Sequence, residues 1–224
     1  RNYQQNSFFM IERIACFVTK SEIASFFGGT TRSESLFEPH YNIAPAHHLL
    51  AVRRSGEDGL RYERVRWGWG IEKERVVNHL FNIEEASGLQ GKGIVRCMIP
   101  ISGFYLWKKG GERADYPFFV RLLKEPLMAV CGMGRVKSGA SSMEVAAMIT
   151  TDASAMIQPL SDRMPLFLDR DLAGKWLAGD DDLPEIAEEA SGRFRMSDMS
   201  VLRVSDKVSD LNRNSPDLIQ PLPK

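Results

Sequence analysis

The stretch Arg96-Cys97-Met98-Ile99-Pro100-Ile101-Ser102-Gly103-Phe104-Tyr105-Leu106-Trp107 constrains the fold more than any other part of the chain. Its first half has the apolar character of a buried strand, and Pro100, which cannot donate to a ladder, predicts where that strand stops. Ser102-Gly103 predicts a tight bend or a residue with positive φ. Three large apolar residues and a tryptophan follow. The pattern predicts a buried hairpin in the middle of the chain.

The flanking sequence supplies partners for such a hairpin. Residues 1–9 predict a flexible N-terminal extension. Met10–Thr19 predicts a strand, with Ser21 capping a short helix over Glu22–Phe27 that closes at Gly28-Gly29. His48–Arg54 and Leu60–Trp69 predict two strands joined by a Gly- and Asp-containing turn. Residues 82–93 predict a loop with one helical turn. Pro117–Leu123, Leu127–Gly132, Met143–Thr150 and Met196–Val204 predict four more strands. Asp169 and Pro184 open two helices, to Leu177 and to Ala190. Residues from Asn212 onward predict coil. No repeat and no low-complexity linker interrupts the chain. The expectation is one strand-rich α+β domain over residues 10–224, with short helices at its edges.

Composition narrows the function classes. At 224 residues and 43% hydrophobic content the chain suits a single core. Lys plus Arg and Asp plus Glu both number 29, so net charge gives no sign of nucleic-acid binding, although a zero sum permits a local basic patch. There is no apolar run of 18 residues and no secretory leader pattern, so the expectation is a cytoplasmic protein with no membrane partner. Cys16, Cys97 and Cys131 are far apart, as in a reducing compartment rather than a disulfide framework. Neither they nor the four histidines show metal-ligand spacing; His47 and His48, as neighbours on a strand, would face opposite sides. No metal and no cofactor is expected.

The central stretch closely resembles the signature of the SRAP family (SOS-response-associated peptidase domains). Four further segments resemble that family in the same order: Tyr41-Asn42-Ile43-Ala44-Pro45; Arg66-Trp67-Gly68; Thr150-Thr151-Asp152-Ala153 with Asp162-Arg163-Met164-Pro165; and Val204-Ser205 with Ser215-Pro216-Asp217-Leu218-Ile219 and Pro221. The resemblance implies a barrel-like, bifurcated sheet with short peripheral helices, and single-stranded or abasic DNA as partner. The family crosslinks to abasic sites through an N-terminal cysteine, whose thiolate and α-amine close a ring on the sugar aldehyde.

The matched catalytic positions depart from that chemistry. With Phe17 aligned to the family's aromatic, Ile14 takes the cysteine's place and Cys16 falls two residues on, as a weak candidate nucleophile with no free amine. The family's glutamate is Leu106, which does no acid–base work, and its histidine is Ser161. Asn82 retains the asparagine, with Asn78 the weaker alternative, while the Arg and Glu that should follow are Glu84 and Ala86. The plain alternatives are a buried strand cysteine for Cys16 and a turn residue for Asn82.

The DNA-contacting positions implied by the resemblance are better kept: Trp67 and Trp107 to stack on bases, Arg163 to meet a phosphate, and Thr150 to hydrogen-bond to the backbone. Each has a structural alternative, core packing for the tryptophans and loop-tying for Arg163. Arg53, Arg54, Arg61, Arg64, Arg66 and Arg75 offer a phosphate track, or a solvated hairpin with scattered charge. Three functions follow: a DNA binder without the covalent chemistry, an abasic-site crosslinker or thiol peptidase using Cys16 after processing, and a protein-interaction module whose groove is filled by Phe8, Phe9 and Met10.

Overall fold

The computed structural model describes residues 11–29, 34–56, 59–72, 75–89, 93–108, 115–137, 142–179, 181–194 and 196–222. The expected extension over residues 1–9, with the arm residues Phe8, Phe9 and Met10, lies outside them. In chain order the strands are β1 (Arg13–Cys16), β2 (His40–Ile43), β3 (His48–Arg54), β4 (Leu60–Trp67), β5 (Trp69–Glu72), β6 (Arg75–Asn78), β7 (Leu80–Phe81), β8 (Ile94–Ile101), β9 (Gly103–Lys108), β10 (Tyr116–Leu122), β11 (Met128–Val136), β12 (Met143–Asp152), β13 (Arg163–Pro165), β14 (Phe167–Leu168) and β15 (Met199–Arg203). The helices are α1 (Lys20–Phe27), α2 (Ile83–Ser87), α3 (Arg170–Ala178) and α4 (Leu183–Ser191).

The central stretch is not a hairpin. β8 and β9 belong to different sheets, and Ser102 is the corner at which the chain crosses between them. One sheet has the order β15-β10-β9-β1-β2, antiparallel throughout. The other runs β13-β12-β4-β3-β8-β11-β14, with β7 alongside β12. Because β12 pairs with both β4 and β11, the path β12-β4-β3-β8-β11 closes on itself. Such closure removes free edges. The architecture is a strand-rich α+β fold with a curled, barrel-like sheet, as the resemblance implies.

β1 holds the corner. The Ser102 amide donates to the Ala15 carbonyl at 2.8 Å, and the Ser102 hydroxyl accepts the Phe17 amide at 2.9 Å. Gly103 is required by close approach, not by positive φ. A Cβ there would lie 2.4 Å from the Val120 carbonyl oxygen and 2.4 Å from the Phe119 ring. Nor does Pro100 end its strand; β8 runs on to Ile101. Pro100 lies opposite Ala129 in the β8–β11 ladder, while the register between β8 and β3 is the pair Met98–Val52.

Alternation sorts the strand residues into layers. Ile14, Ile99, Ile101, Phe104, Leu106, Val130 and Met148 point into a core between the sheets. Met98, Ala129, Cys131 and Ile149 face the other way, under Ile23 of α1, Leu172 and Trp176 of α3 and Ile186 of α4. Ala15, Tyr105 and Phe119 face outward beneath Val204, Val208 and Leu218 of the closing segment. That segment contains a 3₁₀ turn, Pro216–Ile219, where coil was expected. Helix α1 begins two residues earlier than expected: Thr19 is its N-cap and forms a capping box with Glu22. Asp169 caps α3 as expected.

Gly103→Ala is expected to lower stability by about 1–3 kcal/mol through overpacking. The measurement is the denaturation midpoint at an unchanged m-value; an unshifted midpoint would show that β10 yields freely at the corner.

Candidate functional site

A groove of about 530 Å³ opens where β7 and α2 pass β12 and β13. It is lined by Ile11, Leu80, Phe81, Asn82, Ile83, Glu84, Glu85, Thr150, Thr151, Asp152 and Arg163. Arg163 and Asp152 are cross-strand partners on β13 and β12, which brings their charges together as an exposed ion pair. The same guanidinium donates through Nη2 to the Thr150 carbonyl at 2.6 Å and to its hydroxyl at 3.3 Å. Thr150 is itself buried and its hydroxyl donates to the Phe81 carbonyl at 3.2 Å. Thr150 therefore ties β7 to β12 and orients Arg163.

Asn82 lines the groove as the N-cap of α2. Its Oδ1 accepts the Glu85 amide at 2.8 Å, and the Glu85 carboxylate accepts the Asn82 amide at 2.9 Å. This capping box fixes the asparagine side chain, and Glu84 and Glu85 stand exposed in the first turn. With Asp152 they give the groove three carboxylates against one guanidinium.

Ser161 and Leu106 do not line the groove. Ser161 is buried; its hydroxyl donates to the Arg163 carbonyl at 2.7 Å and accepts the Arg163 amide at 3.1 Å, so it shapes the backbone that carries the arginine. Leu106 is buried in the same core cluster as Ile11 and Ile14. Ile14 is fully buried, paired with Phe104 on one side and Ile43 on the other.

Cys16 does not open onto this groove. It borders a separate small pocket of about 120 Å³ with His40, His48 and Arg64. Its thiol donates to the Pro100 carbonyl at 3.4 Å, and burial pushes its pKa up to about 11, against a smaller opposing contribution from the Val18 backbone. A thiol so raised is a poor nucleophile at neutral pH.

The two tryptophans offered for base stacking lie in different settings, Trp67 buried and Trp107 half-buried. Trp67 is fully buried, donating from its indole nitrogen to the His79 carbonyl at 2.9 Å, so no base reaches its face. Trp107 faces the outer layer with Tyr105, on the side of β9 opposite Leu106, because successive strand residues alternate. Of the six arginines, Arg53 is buried in an ion pair with Glu63 at 2.7 Å, while Arg64 and Arg66, two residues apart on β4, share a face. The side chains of Arg75 and Asn78 lie outside the described residues.

Ile11 and Asp152 escaped sequence reasoning as site residues. Asp152 stood inside a quoted segment, where its cross-strand position opposite Arg163 was the missing signal. Ile11 carried none, since an apolar residue ahead of a strand marks no chemistry. His79 lies outside the groove lining, buried beside Trp67 with the two rings in edge contact at 5.5 Å; burial lowers its pKa against a hydrogen bond to the Ile11 backbone. Among the described residues no three His, Cys, Asp or Glu side chains gather as a metal site, and no helix is long and apolar enough to cross a membrane.

Two measurements test these placements. Alkylation of Cys16 is expected to remain slow at pH 8 and to rise only as the pH approaches about 11; rapid modification at pH 7–8 would show an activated thiol. Trp67→Ala is expected to cost about 3–5 kcal/mol of stability as a core truncation, read by chemical denaturation.

The sequence and fold both match known proteins. The chain is 26% identical over 199 residues to the abasic site processing protein YoqW of Bacillus subtilis, covering 84% of this chain and 88% of that one. It is 27% identical over 194 residues to the abasic site processing protein YedK of Escherichia coli, covering 81% and 84%. A crystal structure of a protein from Bacteroides thetaiotaomicron superposes with a TM-score of 0.74 at 17% identity, over 94% of this chain and 99% of that one. A phage-related protein from Bordetella bronchiseptica gives 0.66 at 21% identity, over 86% and 93%. The pattern of the SOS response associated peptidase (SRAP) family matches residues 10–211, and the chain belongs to that family.

Proposed function

We propose that this protein binds single-stranded DNA, abasic strands included, in the groove beside Arg163, and holds it without a covalent bond. Its place in a family whose relatives are named abasic site processing proteins supports the ligand. One observation carries the non-covalent half of the reading. The position matched to the family's cysteine is Ile14, fully buried within β1, and Ile11 ahead of it forms part of the groove wall. The nearest thiol, that of Cys16, faces another pocket, is held protonated by burial, and has its backbone nitrogen in a peptide bond. Closing a ring on an aldehyde needs both a thiol and an amine, and among the described residues neither lines the groove. Leu106 and Ser161 supply no proton transfer in place of the lost carboxylate and imidazole.

What remains for recognition is polar contact and shape. Arg163 is half-exposed and preorganised by Thr150, which suits it to a phosphate or sugar oxygen. Phe81 and Ile11 give the floor an apolar character on which an unpaired base or an empty sugar would rest.

The test uses fluorescence anisotropy with intact and abasic oligonucleotides at two salt concentrations, followed by a denaturing gel. Binding is expected to weaken as salt rises and to leave no denaturation-resistant band. Arg163→Ala is expected to weaken binding and reduce the salt slope by about 0.7, the share of one single-strand phosphate contact. A resistant band that disappears in Cys16→Ala would overturn the non-covalent reading, and absence of binding at low salt would overturn the DNA reading.

A further inference from the structure

A second cleft, of about 500 Å³, lies where α1 and α3 meet the turn end of the β3–β4 pair. It shares no lining residue with the groove beside Arg163. β4 starts at this cleft with Leu60 and ends at Trp67, whose indole donates to the His79 carbonyl; seven residue steps at about 3.3 Å put roughly 23 Å between those ends. The walls are Phe26 and Phe27 of α1, Leu60 and Leu177, and Arg54 and Arg170 stand exposed at the edge. The four apolar side chains are half-buried, packed on the core beneath the helices by one side only. The two phenyl rings meet edge to face with centroids 4.8 Å apart.

The helix that forms one wall has a bare place in it. Leu172, Ala173 and Trp176 of α3 are buried in the core. Arg170, Gly174, Leu177 and Ala178, spaced i, i+4, i+7 and i+8, form the stripe toward the cleft. Glycine inside a helix is less favourable than alanine, because it has more backbone freedom to lose. The other two glycines of the cleft have reasons within the fold. Gly28 ends α1 with φ of 75°, and a Cβ at Gly59 would lie 3.2 Å from the Ser55 carbonyl oxygen. Gly174 has neither reason. It lies within the helix, and a Cβ there would meet no other described part of the protein within 4 Å, its own helix backbone set aside. The missing side chain therefore serves no packing inside the chain, and it leaves α3 open to close approach by another molecule.

Charge gives the sign of that molecule. Among the described residues no carboxylate lines the cleft. The carboxylates next to Arg170 in sequence are engaged elsewhere: Arg193 reaches Asp169 at 2.7 Å and Asp171 at 3.4 Å. Lys175 of the same helix faces Glu189 of α4 at 3.4 Å. Arg170 enters no ion pair among the described residues.

We propose that this cleft is the docking site for an acidic, amphipathic segment of a partner protein. One or two large apolar side chains of the segment sit between α1 and α3, its main chain crosses α3 at Gly174, and its carboxylates meet Arg54 and Arg170. The cavity falls within the range of about 300–1,000 Å³ that takes compact ligands. Apolar anchors in such a groove supply affinity, and charge at the edge supplies orientation and encounter rate. Because the cleft and the Arg163 groove are separate, a partner docked here leaves the groove accessible, and the proposal stands whether or not the groove takes DNA.

The test is selection of random dodecapeptides displayed on phage against the full chain, followed by fluorescence anisotropy with the enriched sequence made as a labelled synthetic peptide. Enriched sequences are expected to pair Leu, Phe or Trp with an excess of Asp and Glu. Arg170→Glu and Gly174→Leu are each expected to weaken peptide binding by about tenfold or more. Arg121→Glu, the same charge change at an exposed site on β10, should not weaken it. Gly174→Ala is expected to raise the thermal midpoint, since alanine favours the helix and strikes nothing, and to lower peptide affinity. Thermal melts matched to the parent chain establish that the variants are folded, and the exposed Arg170 position keeps the test decisive if Gly174→Leu is not. No enrichment, enrichment of basic sequences, or equal binding by the parent and the cleft variants overturns the proposal. So does a Gly174→Ala midpoint below that of the parent, which would show that the fold itself needs the glycine. A dimer in sedimentation that Gly174→Leu abolishes would make a second copy of the chain the occupant. A melting shift with decanoate, lost in Arg170→Glu and without peptide enrichment, would make it a small apolar acid. Either result overturns the partner-segment assignment.

Discussion

The fold turns on a corner with no room for a side chain. At Gly103 the chain leaves one sheet and enters the other, and β10 approaches so closely that a methyl group would strike both backbone and ring. Ser102, immediately before it, spends its amide and its hydroxyl on β1. That arrangement anchors β1 against β9 and so determines what β1 carries past the groove. The closed path through β12 provides the other fixed reference, since β12 bears Thr150 and Asp152 and pairs with the β13 arginine.

Function in this chain is therefore a matter of what hangs on two strands. β12 and β13 retain a polar constellation whose members hold one another, and α2 adds Asn82 through a capping box. β1 and β9 contribute packing through Ile14 and Leu106. The groove that β12, β13 and α2 border combines apolar residues, Ile11 and Phe81, with three carboxylates and the Arg163 guanidinium.

Much of the fold was legible because strands advertise themselves by apolar runs and turn residues. The strands at 48–54 and 60–67, and the helices capped by Asp169 and opened near Pro184, lie close to where pattern puts them. The misreadings share one cause: local sequence does not encode pairing partners. Arg96–Trp107 has the composition of a hairpin, yet its halves pair with different strands. Trp67 has the residue type for stacking, but alternation and layer depth decide exposure, and those depend on which sheet covers which face. Asn82 and Arg163 were legible through the family pattern; the role of Ile11 was not, because it arises from where the chain ahead of β1 is laid and not from any chemistry of isoleucine.

That placement of Ile11 has a consequence for how the groove changes over evolutionary time. Ile11 is 1% exposed and packs in the same core cluster as Ile14 and Leu106, so this wall of the cavity is part of the core between the sheets. Reshaping the cavity at that point means repacking the core, and a change of ligand preference made there would register as a change of stability.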